Sequence, residues 1–282
     1  MVLEVDYTSE DAPARLAQSI RETGFAVVTE HPIPWELVAS TYDEWARFFA
    51  SDAKSAYPFQ EGGEGQWGYF PFLSENAKDS ELKDLKEFYH VYRWAPLPAG
   101  VTDNTRVLHD ELERLAGMLL GWIEDNTPAD VKAGFTEPLR GMIAGSQRTL
   151  FRILHYPPID ENVQPGAVRS AAHEDINLLT LLPTGTAPGL QVLDTMGNWH
   201  DVACDPGAII VNAGDMLQMA SDGFYRSTTH RVVNPEGEAS STPRYSMPLF
   251  LHPRPEVRLS DVHTAGTYLD ERLREIGLKT TS

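Results

Sequence analysis

The sequence has almost no cysteine: Cys204 is the single one in 282 residues. That excludes an intramolecular disulfide framework, a cysteine-rich zinc site and an iron–sulfur cluster, so any metal must sit on histidine and carboxylate ligands. Basic residues are scarce as well, with 23 Lys and Arg against 41 Asp and Glu and a formal charge of −18. So negative a chain lacks the cations that neutralise phosphate, and neither nucleic acid nor an anionic membrane is an expected partner. Long apolar runs are missing too, and the acidic opening MVLEVDYTSEDAPARL lacks the basic-then-apolar order of a secretory leader. The expectation is a cytoplasmic protein acting on a small molecule; composition leaves open whether it is a monomer or a homo-oligomer.

What is present is an ordinary globular composition, 41% hydrophobic and 10% aromatic, in a chain long enough for a substantial core. The first part is helix-rich. Helical spacing covers Ser9 to Thr23, with Leu16 and Ile20 inward, and the β-branched run from Phe25 to Val28 reads as a strand. Trp35, Val38, Tyr42, Trp45 and Phe49 recur at three and four along a second helix, Pro34 to Ala50, and are expected in the core. Gln60 to Ser74 has too many glycines for regular structure and reads as a loop, whose Trp67 and Tyr69 could cover a substrate. Further helices are expected at Asp103 to Asp125 and Thr127 to Met142.

Beyond Arg148 the texture changes to short apolar runs broken by Pro, Gly, Asn and Asp. They are Thr149–Tyr156, Ile176–Leu182, Leu190–Leu193, Ala208–Asn212, Met216–Met219, Thr228–Val233 and Arg244–Leu251. Many short strands without helices between them indicate a β-sandwich or barrel. A last helix is expected from Thr264 to Ile276. No repeat or linker separates two independent units, so residues 1–147 should pack as a helix-rich layer on a β core formed by 148–282.

His173-Glu174-Asp175 is an H-x-D tripeptide, and on an extended strand its first and third residues share a face. By itself the pattern is about what composition supplies by chance. His230 lies 55 positions after Asp175 in another expected strand, where an inward imidazole could add a third ligand. Two histidines and one carboxylate on one face of an octahedron leave three adjacent positions open, as in non-haem Fe(II) oxygenases. A structural, hydrogen-bonded role is the alternative for any one of these histidines. Arg244 and Ser246, spaced i and i+2, offer a guanidinium fork and a hydroxyl on one strand face, a clamp for a carboxylate. Phe250, four residues further, is expected on the same face and toward the pocket. Asn212 with Gly214-Asp215 reads as a turn, and Arg231 as the partner of a nearby acid.

The ordered motifs Arg152-Ile153-Leu154-His155-Tyr156-Pro157-Pro158, His173-Glu174-Asp175, Gly189-Leu190-Gln191-Val192, Val211-Asn212-Ala213-Gly214-Asp215, Thr228-Thr229-His230-Arg231-Val232 and Arg244-Tyr245-Ser246 resemble the isopenicillin N synthase-like 2-oxoglutarate/Fe(II) oxygenases. The resemblance extends to Thr23–Val28 and Asp84–Glu87. It implies a mainly β fold with flanking α-helices: a double-stranded β-helix, or jelly roll, wrapped by N-terminal helices and a C-terminal helix. It also implies Fe(II), 2-oxoglutarate as co-substrate and O₂, with His173, Asp175 and His230 as metal ligands. Arg244, Ser246 and Tyr156 would bind the far carboxylate of 2-oxoglutarate. Leu154 and His155 depart from the plant-type pattern, in which an asparagine and a tyrosine stand there.

The activity so implied is oxidation of an unactivated C–H bond of a small molecule, hydroxylation first, with succinate and CO₂ formed. Three alternatives are kept: an iron oxidase whose Arg-x-Ser clamp holds the substrate's own carboxylate without 2-oxoglutarate, a zinc hydrolase, and a non-catalytic binding protein on the same fold.

Overall fold

The computed structural model describes residues 2–62, 65–76, 82–159 and 163–275. Within them the strands are β1 (Leu3–Asp6), β2 (Phe25–Thr29), β3 (Gln60–Gly62), β4 (Gly65–Phe70), β5 (Glu87–Val91), β6 (Leu150–Tyr156), β7 (Ser170–His173), β8 (Leu179–Pro183), β9 (Leu190–Leu193), β10 (Trp199–Asp201), β11 (Ile209–Ala213), β12 (His230–Val232), β13 (Arg244–Ser246) and β14 (Leu249–Leu251). The helices are α1 (Ala12–Thr23), α2 (Trp35–Ala50), α3 (Asn104–Asp125), the short α4 (Ala129–Lys132) and α5 (Leu139–Ile143), α6 (Asp215–Ala220) and α7 (Ala265–Glu275).

The strands form two sheets. The larger runs β1-β2-β11-β8-β14-β6-β5-β4-β3, with β13 also paired to β6; the smaller runs β10-β9-β12-β7. All pairings are antiparallel except β1 with β2. Phe25, Val27, Leu154, Tyr156 and Ile210 of the large sheet pack against Leu190, Val192 and Val232 of the small one, so the sheets face each other as in a double-stranded β-helix.

The other face of the large sheet is covered by α1, α2 and α3. On α3, Leu108, Leu112, Leu115, Leu119 and Ile123 recur at three and four and are all buried, while Val107 and Met118 are 48% and 47% exposed. The apolar stripe is thus narrower than the run of hydrophobic letters. Each buried leucine contributes about 1.5–3 kcal/mol, which outweighs the weak intrinsic preference of any one turn of helix. On α2, Val38, Tyr42, Trp45 and Phe49 are core, but Trp35 at the first turn is 36% exposed.

Several expectations are corrected. The expected loop at 60–74 contains a hairpin, β3 with β4, in which Gly62 pairs with Gly65. α1 starts at Ala12 rather than Ser9, because Pro13 belongs in the first turn of a helix, where its missing N–H costs nothing. The expected helix at 127–142 is two pieces, separated by Gly134 and Pro138. Met216–Met219 lies on helix α6, not a strand; a four-residue apolar run cannot by itself tell the two apart. The single strand expected at 244–251 is interrupted at Met247-Pro248, since proline has no N–H for the ladder. The last helix spans Ala265–Glu275, and its expected end at Ile276 lies outside the described residues.

Candidate active site

β7 and β12 are antiparallel neighbours with His173 directly opposite His230, and their imidazole centroids are 4.4 Å apart. Asp175 lies two residues beyond the end of β7, so the H-x-D pair is a strand terminus plus the following loop rather than one strand face. The backbone N–H of Asp215 holds that loop, donating to the Asp175 carbonyl at 2.7 Å. Gly214 is required there: a Cβ would stand 2.3 Å from the carbonyl oxygen of Asn177. Gly214-Asp215 therefore opens α6 and is not a turn between strands.

The chemistry of the donor set fits a divalent metal. His173 and His230 donate through Nδ1 to the carbonyls of Ala171 at 2.8 Å and Thr228 at 3.1 Å, which leaves each Nε2 as a lone-pair donor. Thr180 Oγ1 and Asn212 Nδ2 both donate to Asp175 Oδ2, at 2.5 and 2.8 Å. The other oxygen, Oδ1, stands 3.8 Å from His173 Nε2 and 3.7 Å from His230 Nε2. The three ligating atoms lie within 4.8 Å of one another. Burial alone would raise the Asp175 carboxyl, but His230, His173 and the two hydrogen bonds more than reverse this and hold it below its ordinary range. Burial, then the charge of His230, pull His173 down to about 4, so it is the neutral form that faces the site near pH 7.

His173 and Asp175 open onto a cavity of about 510 Å³. Its wall carries the ion network Glu75–Lys86–Asp84, with Lys86 Nζ 2.7 Å from both carboxylates, and Arg152 Nη1 3.1 Å from Glu75. Asp84 also accepts the backbone N–H of Ala171 at 2.9 Å, so this network anchors the strand that carries His173. Phe250 is on the wall, as expected, under the Arg152 guanidinium at 5.6 Å. His252 is there too; its Nδ1 donates to the Phe250 carbonyl at 3.0 Å, and burial lowers it to about 4, leaving Nε2 as a neutral acceptor. Trp67 and Tyr69 are not on this wall. Tyr69 is buried and its hydroxyl donates to Glu87, while Trp67 packs beside Tyr92, Ala95 and Leu150.

Arg244, Ser246 and Tyr156 are likewise absent from the cavity wall and are buried between the sheets, at 2%, 3% and 3% exposure. Arg244 Nε donates to the Ala187 carbonyl at 2.9 Å and its guanidinium lies over the Tyr156 ring at 5.2 Å. Its Nη1 is buried without a hydrogen-bond partner. An orphaned guanidinium nitrogen in the interior fits a carboxylate ligand. Leu154 packs on the same side, whereas His155 points the opposite way, with Nδ1 2.7 Å from Glu87 and its ring stacked on Tyr245. The departure at position 155 therefore points away from Arg244 and Tyr156. Arg231 meets Gln191 and the Trp199 ring rather than an acid.

Sequence reasoning gave Thr180, Lys86, Glu75 and His252 no role and treated Asn212 as a turn residue. A signal existed for two of them: Thr180 and Asn212 are single polar residues in or ending apolar strand runs, where a buried polar group needs a partner.

Comparison with known proteins agrees with this geometry. Residues 148–253 match the model of the 2OG-Fe(II) oxygenase superfamily, and residues 4–111 match that of the non-haem dioxygenase N-terminal region named for morphine synthesis. A 2-oxoglutarate-Fe(II) type oxidoreductase of Aspergillus fumigatus is 31% identical over 276 residues, covering 87% of this chain and 78% of the relative. Gibberellin 2-beta-dioxygenase 3 of Arabidopsis thaliana is 26% identical over 242 residues, 81% and 70% of the two chains. A crystal structure from Shewanella oneidensis, carrying only a provisional oxygenase assignment, is 49% identical with a TM-score of 0.87 over 99% and 100% of the chains. The fold is shared with a full-length Neurospora crassa protein in complex with alpha-KG, at 22% identity and a TM-score of 0.79 over 96% and 95%.

The chain belongs to the 2OG-Fe(II) oxygenase superfamily. It is a non-haem dioxygenase that uses Fe(II), 2-oxoglutarate and O₂, which favours that reading over an iron oxidase that dispenses with 2-oxoglutarate. Among the described residues no helix is long and apolar enough to cross a membrane.

Proposed function

We propose that the protein is a cytoplasmic small-molecule hydroxylase in which His173, Asp175 and His230 hold Fe(II). In this reading Arg244, Ser246 and Tyr156 hold the far carboxylate of 2-oxoglutarate, and the cavity beside Phe250 receives the substrate. The observation that carries it is the His173–Asp175–His230 constellation, with Asp175 and His230 buried and His173 half-buried, opening onto a cavity of about 510 Å³. When bound, Fe(II) and 2-oxoglutarate together activate O₂, so that 2-oxoglutarate becomes succinate and CO₂ and the substrate is oxidised at carbon.

The protein's own residues position and exclude. Ala171 and Thr228 fix the histidine tautomers, while Thr180 and Asn212 aim the carboxylate. Arg244 supplies charge for the co-substrate in an interior where water does not compete. On the substrate side, Phe250, Leu150 and Ile176 present apolar surface and His252 Nε2 a neutral acceptor. That combination suits a compact molecule with an apolar face and one O–H or N–H to donate. Relatives whose names specify gibberellin, and a Neurospora crassa structure with thymine, support small molecules as the substrate class.

The test is anaerobic addition of Fe(II) and then 2-oxoglutarate. The weak visible charge-transfer band of the chelate is expected, and turnover in air should release succinate. No band, with iron bound, would remove the co-substrate from the proposal.

A further inference from the structure

Arg169 immediately precedes β7, four residues before His173. It is 1% exposed, among the largest fully buried side chains of the molecule. Its Nη2 donates to the carbonyl of Thr242 at 3.0 Å, two residues before Arg244, and its Nε is buried with no partner. Arg244 likewise has a buried Nη1 with no partner. Neither arginine is ion-paired to a carboxylate among the described residues, and the group under the Arg244 guanidinium, at 5.2 Å, is the Tyr156 ring. The Thr242 carbonyl that holds Arg169 leads directly into β13 and Arg244, and burial, then the charge of Arg244, lower Arg169 from its ordinary range.

Two buried guanidiniums without a counter-ion are a costly arrangement for the protein alone. Elsewhere this chain neutralises its buried cations, as Lys86 shows with Glu75 and Asp84. The missing partner is an anion that arrives from outside, with enough oxygens for two donors.

We propose that Arg169 is a second guanidinium of the co-substrate site, sharing the far carboxylate of 2-oxoglutarate with Arg244. This rests on the assignment of Arg244 to that carboxylate. Arg169 is then a determinant of co-substrate choice: it favours a five-carbon 2-oxo diacid over a 2-oxo monoacid of the same length. Thr242 and Asn234 hold it in place, through its Nη2 and its backbone N–H.

The test uses the full chain loaded with Mn(II), titrated calorimetrically with 2-oxoglutarate and with 2-oxovalerate, which has no far carboxylate. Arg169→Met should weaken 2-oxoglutarate roughly 10- to 100-fold, the loss of one charge-assisted hydrogen bond, and leave 2-oxovalerate unchanged. The melting temperature of the ligand-free variant should not fall. If Arg169→Met does not fold, Arg169→Lys serves, with a reduced preference for the diacid expected. Weakening both acids equally, or neither, while Arg244→Met still loses 2-oxoglutarate, would overturn the role of Arg169 alone. Unchanged binding in Arg244→Met would overturn the clamp and this inference with it.

Discussion

Asn212 Nδ2 donates to Asp175 Oδ2 at 2.8 Å, and with Thr180 on the same oxygen it turns Oδ1 toward His173 and His230. Asn212 comes from β11, next to β8 in the large sheet, while both histidines belong to the small sheet. The carboxylate is thus held from one sheet and used with the other.

Asn212→Ala should weaken metal binding about 10- to 100-fold with little loss of fold, because an aiming hydrogen bond goes while all three ligands stay. Competitive titration of Mn(II) or Fe(II) against a chromophoric chelator measures this. An affinity equal to wild type would mean that Thr180 suffices alone.

Asp175→Ala and His173→Ala should each abolish both iron retention and succinate release. Iron content after desalting, read beside turnover, separates loss of metal from loss of catalysis. Normal turnover in either variant is incompatible with the ligand set.

Arg244→Ala should raise the 2-oxoglutarate requirement by on the order of 2–5 kcal/mol, since a buried charged pair loses one partner. Dependence of the rate on 2-oxoglutarate concentration reports it, and metal affinity should stay near wild type.

The pH prediction concerns His252, which burial lowers to about 4 against about 6.5 in an unfolded chain. The unfolded chain therefore takes up its proton first. Stability is complete above pH 6.5 and falls as the pH drops toward 4, by on the order of 2–3 kcal/mol from this residue. Melting temperatures of the ligand-free protein between pH 7.5 and 5 should show the fall, and His252→Asn should flatten it. An identical slope in the variant would rule out a neutral buried imidazole as the cause.

Much of the β core was readable from the sequence because its runs are short, apolar and punctuated: Leu190–Leu193 appears as written, and Leu150–Tyr156 differs by one residue. The misreadings share a cause. Met216–Met219 and the glycine-rich stretch around Trp67 take their structure from Gly214 packing against Asn177 and from β4 pairing with β5, contacts that local spacing does not encode. At the site, the grouping of His173, Asp175 and His230 was legible through motif order, but Asp175's position beyond the strand was not. Lys86, Glu75 and Arg169 were invisible because a buried charge has the same letter as a solvated one, and only burial separates them.

α7 forms one side of the cavity through Leu269, Arg272 and Leu273, and Tyr268 ties it to Asp215 with a 2.7 Å hydrogen bond. This helix follows the last strand and contributes no metal ligand. Part of the cavity wall is consequently written in a stretch of chain that carries none of His173, Asp175 and His230. Substitutions in α7 would reshape that wall while leaving His173, Asp175 and His230 in place.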